Sequence, residues 1–277
     1  MKTVFILSIS SDIGRNLAKE YLSRGWNVYG TYRNAISEIE LKAELPGVVL
    51  SFCDISDPAS IRSTIESLPR DFKWDLFISM PCDPLPLTSF FESPIKRWIE
   101  SFMVNSLRQL EFLHGIYPFR NQGANSPTVI FTAGGGTNSS VADFSAYTSA
   151  KIHLIKMVEL LAYEDSTCKY AIIGPGWTNT KTHLITLANT DVASIRHKNV
   201  ADFLGDPTNG TTYDEIIRCL DWIYSQQSDV VSGRNFSVVS DNWTGEGSEK
   251  LAELLSRDID MYKLRRHSND LLPPRER

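Results

Sequence analysis

The sequence predicts an α/β protein: a single doubly wound parallel sheet of about seven strands with helices on both faces. Two observations carry this. Short apolar runs alternate with longer amphipathic segments along most of the 277 residues, and strands alternating with helices read as βαβ units whose parallel strands are covered on both sides. The first apolar run also ends in a Ser/Asp/Gly turn that opens a helix, and sheets of this kind bind ligands beyond the carboxyl ends of their strands.

The strands are expected at 3–9, 27–32, 48–53, 75–80, 127–133, 169–174 and 235–240, with helices near 12–24, 36–44, 57–68, 95–117, 144–165 and 211–226. The opening run is too short for a signal peptide core and has no small-residue cleavage site, so it reads as a buried first strand. No stretch approaches the roughly 18 apolar residues of a membrane span. A chain that is 42% hydrophobic and 22% charged, without linker, repeat or low-complexity run, is expected to form one domain over 1–277. A net charge of −5 argues against a nucleic-acid surface. Cys53, Cys82, Cys168 and Cys219 are scattered, which suggests neither a zinc site nor a disulfide framework. The expected setting is cytoplasmic.

The turn Leu7-Ser8-Ile9-Ser10-Ser11-Asp12-Ile13-Gly14-Arg15 stands where a dinucleotide-binding fold brings backbone N–H groups and a helix N-terminus to a pyrophosphate. It reads equally as a helix start capped by Ser10, Ser11 or Asp12. The second strand has no carboxylate at its end to take an adenosine ribose. Thr31 stands near that place, with Arg33 after it and Arg15 in the turn. Arginines favour a ribose 2′-phosphate, so NADP is expected over NAD.

Tyr147 and Lys151 lie four residues apart, one above the other on a helix face. An ammonium beside a phenol favours the phenolate, which is expected to bring the tyrosine toward working pH as a general acid.

These residues, in this order, resemble the short-chain dehydrogenase/reductase family. Ser8-x-x-x-Asp12-x-Gly14 falls at its glycine turn, Asp54-Ile55 at its adenine-contacting aspartate, Asn105 at its catalytic asparagine and Tyr147-x-x-x-Lys151 at its Tyr-x-x-x-Lys pair. Pro175-Gly176-Trp177-Thr178-Asn179-Thr180 falls at its Pro-Gly-x-x-x-Thr segment, and Ser232-Gly233-Arg234-Asn235-Phe236 at its last turn. The resemblance implies a Rossmann-type fold and an NAD(P)-dependent oxidoreductase interconverting a secondary alcohol and a ketone. It implies Tyr147 as proton donor, Lys151 holding ribose hydroxyls, and Asn105 anchoring a relay water. Ser8, Ser10, Ser11, Asp12, Ile13, Gly14, Arg33, Asp54, Ile55, Tyr147, Lys151, Pro175, Gly176, Thr178 and Thr180 are then expected at the cofactor, with Thr180 at the nicotinamide carboxamide. It also places the subunit interface of a homodimer or homotetramer on the helices at 95–117 and 144–165, where Ile152, Leu154, Ile155, Met157, Leu160 and Leu161 spread over more than one face.

Three departures stand out. Ser8 and Asp12 replace glycines. Ser79-Met80-Pro81-Cys82 replaces the family's Asn-Asn-Ala-Gly. The catalytic serine, due 13 residues before Tyr147, falls on Gly134 beside Ala133. Loss of one such donor typically costs about 10²–10³ in rate. Thr132, Thr137, Asn138 and Ser139 are the candidate substitutes. The segment from Lys181 to about Pro207 is expected to close over a small-molecule substrate, and Lys181, His183, Arg196, His197 and Lys198 give it a basic character that suits a sugar or nucleotide-sugar, or simply a solvated face. Trp177 either meets nicotinamide or substrate or is core, and the C-terminal extension near 247–277 either covers a neighbouring subunit or forms a surface helix. The alternative function is a weak or inactive member that binds dinucleotide in a regulatory role.

Overall fold

The computed structural model describes residues 1–123, 126–191 and 194–266. The expected lid therefore includes two residues (192–193), and the C-terminal extension eleven (267–277), that lie outside the described residues.

Seven strands form one parallel sheet in the order β3-β2-β1-β4-β5-β6-β7. They are β1 (Thr3–Leu7), β2 (Asn27–Tyr32), β3 (Val49–Phe52), β4 (Leu76–Ser79), β5 (Thr128–Thr132), β6 (Lys169–Gly174) and β7 (Arg234–Ser237). Strand order reverses between β1 and β4, which opens a crevice at their carboxyl ends. Strand pleating divides β1 between two cores: Val4 and Ile6 face one, Phe5 and Leu7 the other.

Helices α1 (Asp12–Ser23), α2 (Ala35–Glu44), α3 (Pro58–Glu66), α4 (Ile95–Phe102), α5 (Arg108–Ile116) and α6 (Ser145–Glu164) are followed by α7 (Lys181–Ala188), α8 (Ile195–Gly205), α9 (Tyr213–Ser225), α10 (Ser228–Val231) and α11 (Gly245–Arg257). One core takes Leu17 and Tyr21 of α1, Ile216 and Leu220 of α9, and Leu251 and Leu255 of α11. The other takes Ile61 of α3, Phe112 of α5, and Leu154 and Val158 of α6. No helix among the described residues is long and apolar enough to cross a membrane.

One element differs from the sequence expectation. The single helix expected at 95–117 is broken by a wide turn at Met103–Leu107, between α4 and α5. There the Asn105 amide donates to the Ser101 carbonyl and opens the ladder, a distortion frequent at functional sites. The described part of the C-terminal extension carries a surface helix that packs one face, Leu251 and Leu255, into the core while most of its other residues are exposed. Buried Arg234 of β7 fastens it by donating to the carbonyls of Leu255, Asp258 and Met261.

Candidate active site at the carboxyl ends of the strands

The β1–α1 turn keeps a glycine-type backbone after losing two glycines. Ser8 sits at φ +67°, left-handed conformation that a residue with a Cβ rarely adopts. Its N–H donates to Thr31 Oγ1 at 2.8 Å, so buried Thr31 serves the turn. Gly14 cannot carry a side chain, since a Cβ there would press into Ser8, Ile9 and Ser11. Ser11 is the capping residue, accepting from Gly14 N at 3.0 Å. The first amides of α1, those of Asp12 and Ile13, have no intrahelical acceptor by helix geometry.

Asp12 reaches across the crevice. One carboxylate oxygen accepts the Lys181 N–H at 2.7 Å, and the other lies 3.8 Å from Lys181 Nζ. It thereby caps α7, whose own capping residue Thr180 makes no side-chain cap. Arg15 is committed to Glu40 and Glu44 of α2 and so is not available to a 2′-phosphate as the sequence suggested. Arg33 is exposed at the end of β2. Asp54 accepts from the backbone and hydroxyl of Ser56, while Ile55 is buried beside it.

Tyr147 and Lys151 share the buried face of α6 with Ala150 and Leu154. Lys151 Nζ lies 5.6 Å from the centre of the Tyr147 ring, and it donates to the Pro81 carbonyl in a long bond of 3.4 Å. Burial dominates both groups. It pushes the lysine down to about 8 and the phenol well above its ordinary value. The expected lowering of the tyrosine by its neighbour is not seen here: desolvation, with Cys82 adding to it, holds the phenol up.

The ring of Tyr147 stacks on Phe144 at 4.4 Å. Its hydroxyl takes the space over Gly134, where a built Cβ would collide with it. After burial, the influence that raises the phenol is Cys82, in the loop after β4. Sequence reasoning noted the departure at Ser79-Met80-Pro81-Cys82 but not this thiol, although a side chain at the family's glycine position was the available signal.

The suggested substitutes for serine are engaged elsewhere or exposed. Thr132 bonds the Ser79 carbonyl, Thr137 bonds that of Gly134, and Asn138 and Ser139 face solvent. Asn105 is fully buried and clamps Asp83: Nδ2 donates to its carbonyl at 2.7 Å and Oδ1 accepts its N–H at 3.0 Å. At the end of β6, the buried Thr178 hydroxyl has no hydrogen-bond partner, a polar group set for an acceptor or donor still to come.

The lid segment consists of α7 and α8. Three of its five basic residues are engaged within the protein. Lys181 meets Asp12, His183 stacks on Trp177 at 5.2 Å, and Arg196 lies 4.1 Å over the Phe144 ring while donating to the Ala142 carbonyl. Trp177, His183 and Phe203 form an aromatic cluster, with Trp177 46% exposed and thus lid surface rather than core. Among the described residues, no group of three or more His, Cys, Asp or Glu is placed to hold a metal ion.

Together these features fit a dinucleotide: a glycine-like turn, the bare amides of α1, an orphaned hydroxyl at the end of β6, and a buried ammonium with a single long bond. The group in tension with it is Asp12, a carboxylate facing the place of the phosphates.

A family model described as Enoyl-(Acyl carrier protein) reductase matches residues 9–239. A curated serine 3-dehydrogenase of Rhizobium radiobacter is 23% identical over 237 residues, which cover 81% of this chain and 88% of that protein. A short chain dehydrogenase/reductase structure from Saccharomyces cerevisiae superposes with TM-score 0.77 at 17% identity, covering 87% of this chain and 97% of that one. A closed form of serine dehydrogenase complexed with NADP+ gives TM-score 0.72 at 16% identity, with coverage of 85% and 93%.

Proposed function

The chain belongs to the short-chain dehydrogenase/reductase family, and from that premise we propose that it is a nicotinamide-dependent oxidoreductase interconverting a hydroxyl and a carbonyl on a small molecule. The observation that carries this is the Tyr147–Lys151 pair, one helical turn apart on the buried face of α6 beside the crevice. Serine dehydrogenases among the relatives support a small hydroxy compound as the substrate class. A sugar keeps less support, because three of the five basic lid residues, Lys181, His183 and Arg196, are engaged within the protein.

The residues that would hold the dinucleotide are the turn Ser8–Gly14, Arg33, Asp54, Ile55, Lys151, Pro175, Gly176, Thr178 and Thr180. When bound, the dinucleotide supplies or accepts the hydride. Tyr147 keeps its proton at neutral pH, so it acts as an acid toward a carbonyl oxygen in the direction of reduction. Lys151, held at about 8, is a proton reservoir close to working pH for restoring the phenol. Phe144, Leu85 and Leu87 pack around the phenol and keep water from its ring. With Arg15 engaged, the preference for NADP over NAD rests on Arg33. We further propose one domain, a cytoplasmic setting, and a homodimer or homotetramer formed through exposed Ile95, Ile99, Leu107 and Leu160.

Titrating NADPH and NADH against tryptophan fluorescence, then assaying turnover on hydroxy-acid and ketone panels, tests the reading. Binding of neither dinucleotide would remove it. The second reading, a dinucleotide-binding protein without turnover, draws on the absence of a hydroxyl at Gly134. Binding without any activity that Tyr147→Phe abolishes would favour it.

A further inference from the structure

A buried amide stands behind the loop that follows β4. Gln109, the second residue of α5, is fully buried and spends its whole side chain on three parts of the chain. Its Oε1 accepts the Ser79 hydroxyl at the end of β4, at 2.7 Å. Its Nε2 donates to the Pro81 carbonyl at 3.2 Å and to the Val104 carbonyl of the wide turn at 3.1 Å. Chemistry fixes the orientation of this amide: turned over, its oxygen would face two carbonyls that can only accept. Ser79 is held in turn, since Thr132 Oγ1 donates to its carbonyl at 3.2 Å.

The Pro81 carbonyl that Gln109 grips is the one that Lys151 Nζ reaches, at 3.4 Å. Pro81 has no N–H with which to anchor the chain on its other side. The run Ser79-Met80-Pro81-Cys82 carries no side-chain amide either, so the aim of this carbonyl depends on the helix behind it. Lys151 is 1% exposed, and a buried ammonium stays charged only where acceptors meet it. The titratable groups beside it are the Tyr147 phenol on its own helix and the Cys82 thiol on the loop. Neither is a carboxylate, which leaves the Pro81 carbonyl as the acceptor for its charge.

We propose that Gln109 is the positioning residue for Lys151, pinning the Pro81 carbonyl at the point where the ammonium meets it. This rests on the reading of Lys151 as the group that restores the proton of the phenol. Without the amide the carbonyl turns away, the ammonium loses its acceptor, and the lysine gives up its proton at lower pH.

The test reads the lysine itself in the cofactor-free protein, by carbon NMR titration of the chain labelled with [ε-13C]lysine. The Lys151 signal is identified by its loss in Lys151→Met. Gln109→Met keeps the bulk and removes the amide. In it Lys151 should titrate at about 7 or below instead of about 8, the effect of losing one charge-assisted bond. Lys169 is the internal control: it is also buried and lowered to about 8, but it stands at the amino end of β6 and donates to the Tyr224 and Gln226 carbonyls. Its value should not move. Ser79→Ala removes only the hydroxyl that orients the amide, and it should shift Lys151 the same way by less. A Lys151 value that stays at about 8 or rises in Gln109→Met overturns the proposal, and Ser79→Ala decides the matter if Gln109→Met does not fold. The kinetic arm uses NADPH oxidation with 9,10-phenanthrenequinone. The wild-type rate should fall as pH rises through about 8, and Gln109→Met should carry that fall to lower pH together with the NMR value. A profile scaled down with its pH dependence unmoved is the mark of a packing role and overturns the proposal. A wild-type protein that binds no dinucleotide removes the oxidoreductase reading instead, and the NMR titration then decides alone whether Gln109 positions Lys151.

Discussion

The backbone N–H of Lys181 donates to the carboxylate of Asp12 at 2.7 Å, joining the first turn of α7 to the first turn of α1 across 169 residues of chain. The bond ties α7 to the rim of the β1–α1 turn and puts a negative charge there. A carboxylate about 4 Å from a phosphate costs on the order of 1 kcal/mol in a solvated setting. Asp12→Asn keeps an acceptor for the lid and removes the charge. It should bind NADPH about fivefold more tightly in a fluorescence titration. Weaker binding would show that the carboxylate assists the cofactor.

Gly134→Ser restores the hydroxyl expected at this position but sets its Cβ against the Tyr147 phenol. Overpacking of this kind typically costs about 1–3 kcal/mol. The variant should melt several degrees lower and should not gain activity. A full-strength melting temperature with faster turnover would mean that the phenol moves aside freely, contrary to the packing described.

Lys151 is buried, with its pKa lowered from 10.5 to about 8. Between those values the unfolded chain holds more protons than the folded one, so the lysine's contribution to stability improves as pH rises from about 8 to about 10.5. Below pH 8 its penalty is full. In the cofactor-free protein, Lys151→Met should therefore be the more stable form at pH 7, by on the order of 3 kcal/mol. Urea denaturation should show that advantage shrinking by pH 10, and a gap that is flat with pH would refute the assignment.

Arg33 is exposed where a ribose 2′-phosphate would be met, while Arg15 is held by Glu40 and Glu44. A lost charge-assisted bond typically costs about 1.5–3 kcal/mol. Arg33→Ala should weaken NADPH about tenfold or more and leave NADH unchanged. Arg15→Ala should act mainly on the α1–α2 contact and lower thermal stability. Equal effects of Arg33→Ala on both dinucleotides would end the case for NADP.

The sheet was legible because its central strands β1, β4, β5 and β6 are short, mostly apolar runs set between amphipathic segments, a pattern that burial on both faces imposes locally. The Tyr147–Lys151 pairing was likewise legible from helical periodicity. The lid was recognised as a segment, but its two helices have little amphipathic contrast, and their packing depends on Asp12 and Phe144, far away in the chain, as well as on nearby Trp177. The break at Met103–Leu107 was hidden because nothing in its composition opposes a continuous helix. It arises where Asn105 turns its amide onto Ser101 and Asp83.

The sequence by itself determined which segments become strands, where the first strand-to-helix turn lies, and that a phenol and an ammonium share one helix face, since each follows from spacing along the chain. Only the tertiary structure decided that Ser8 takes a glycine's backbone conformation, that the Asp12 carboxylate caps α7, and that burial raises the phenol its neighbour was expected to lower. Those outcomes depend on desolvation and on contacts between residues tens to more than a hundred positions apart, which no local pattern encodes.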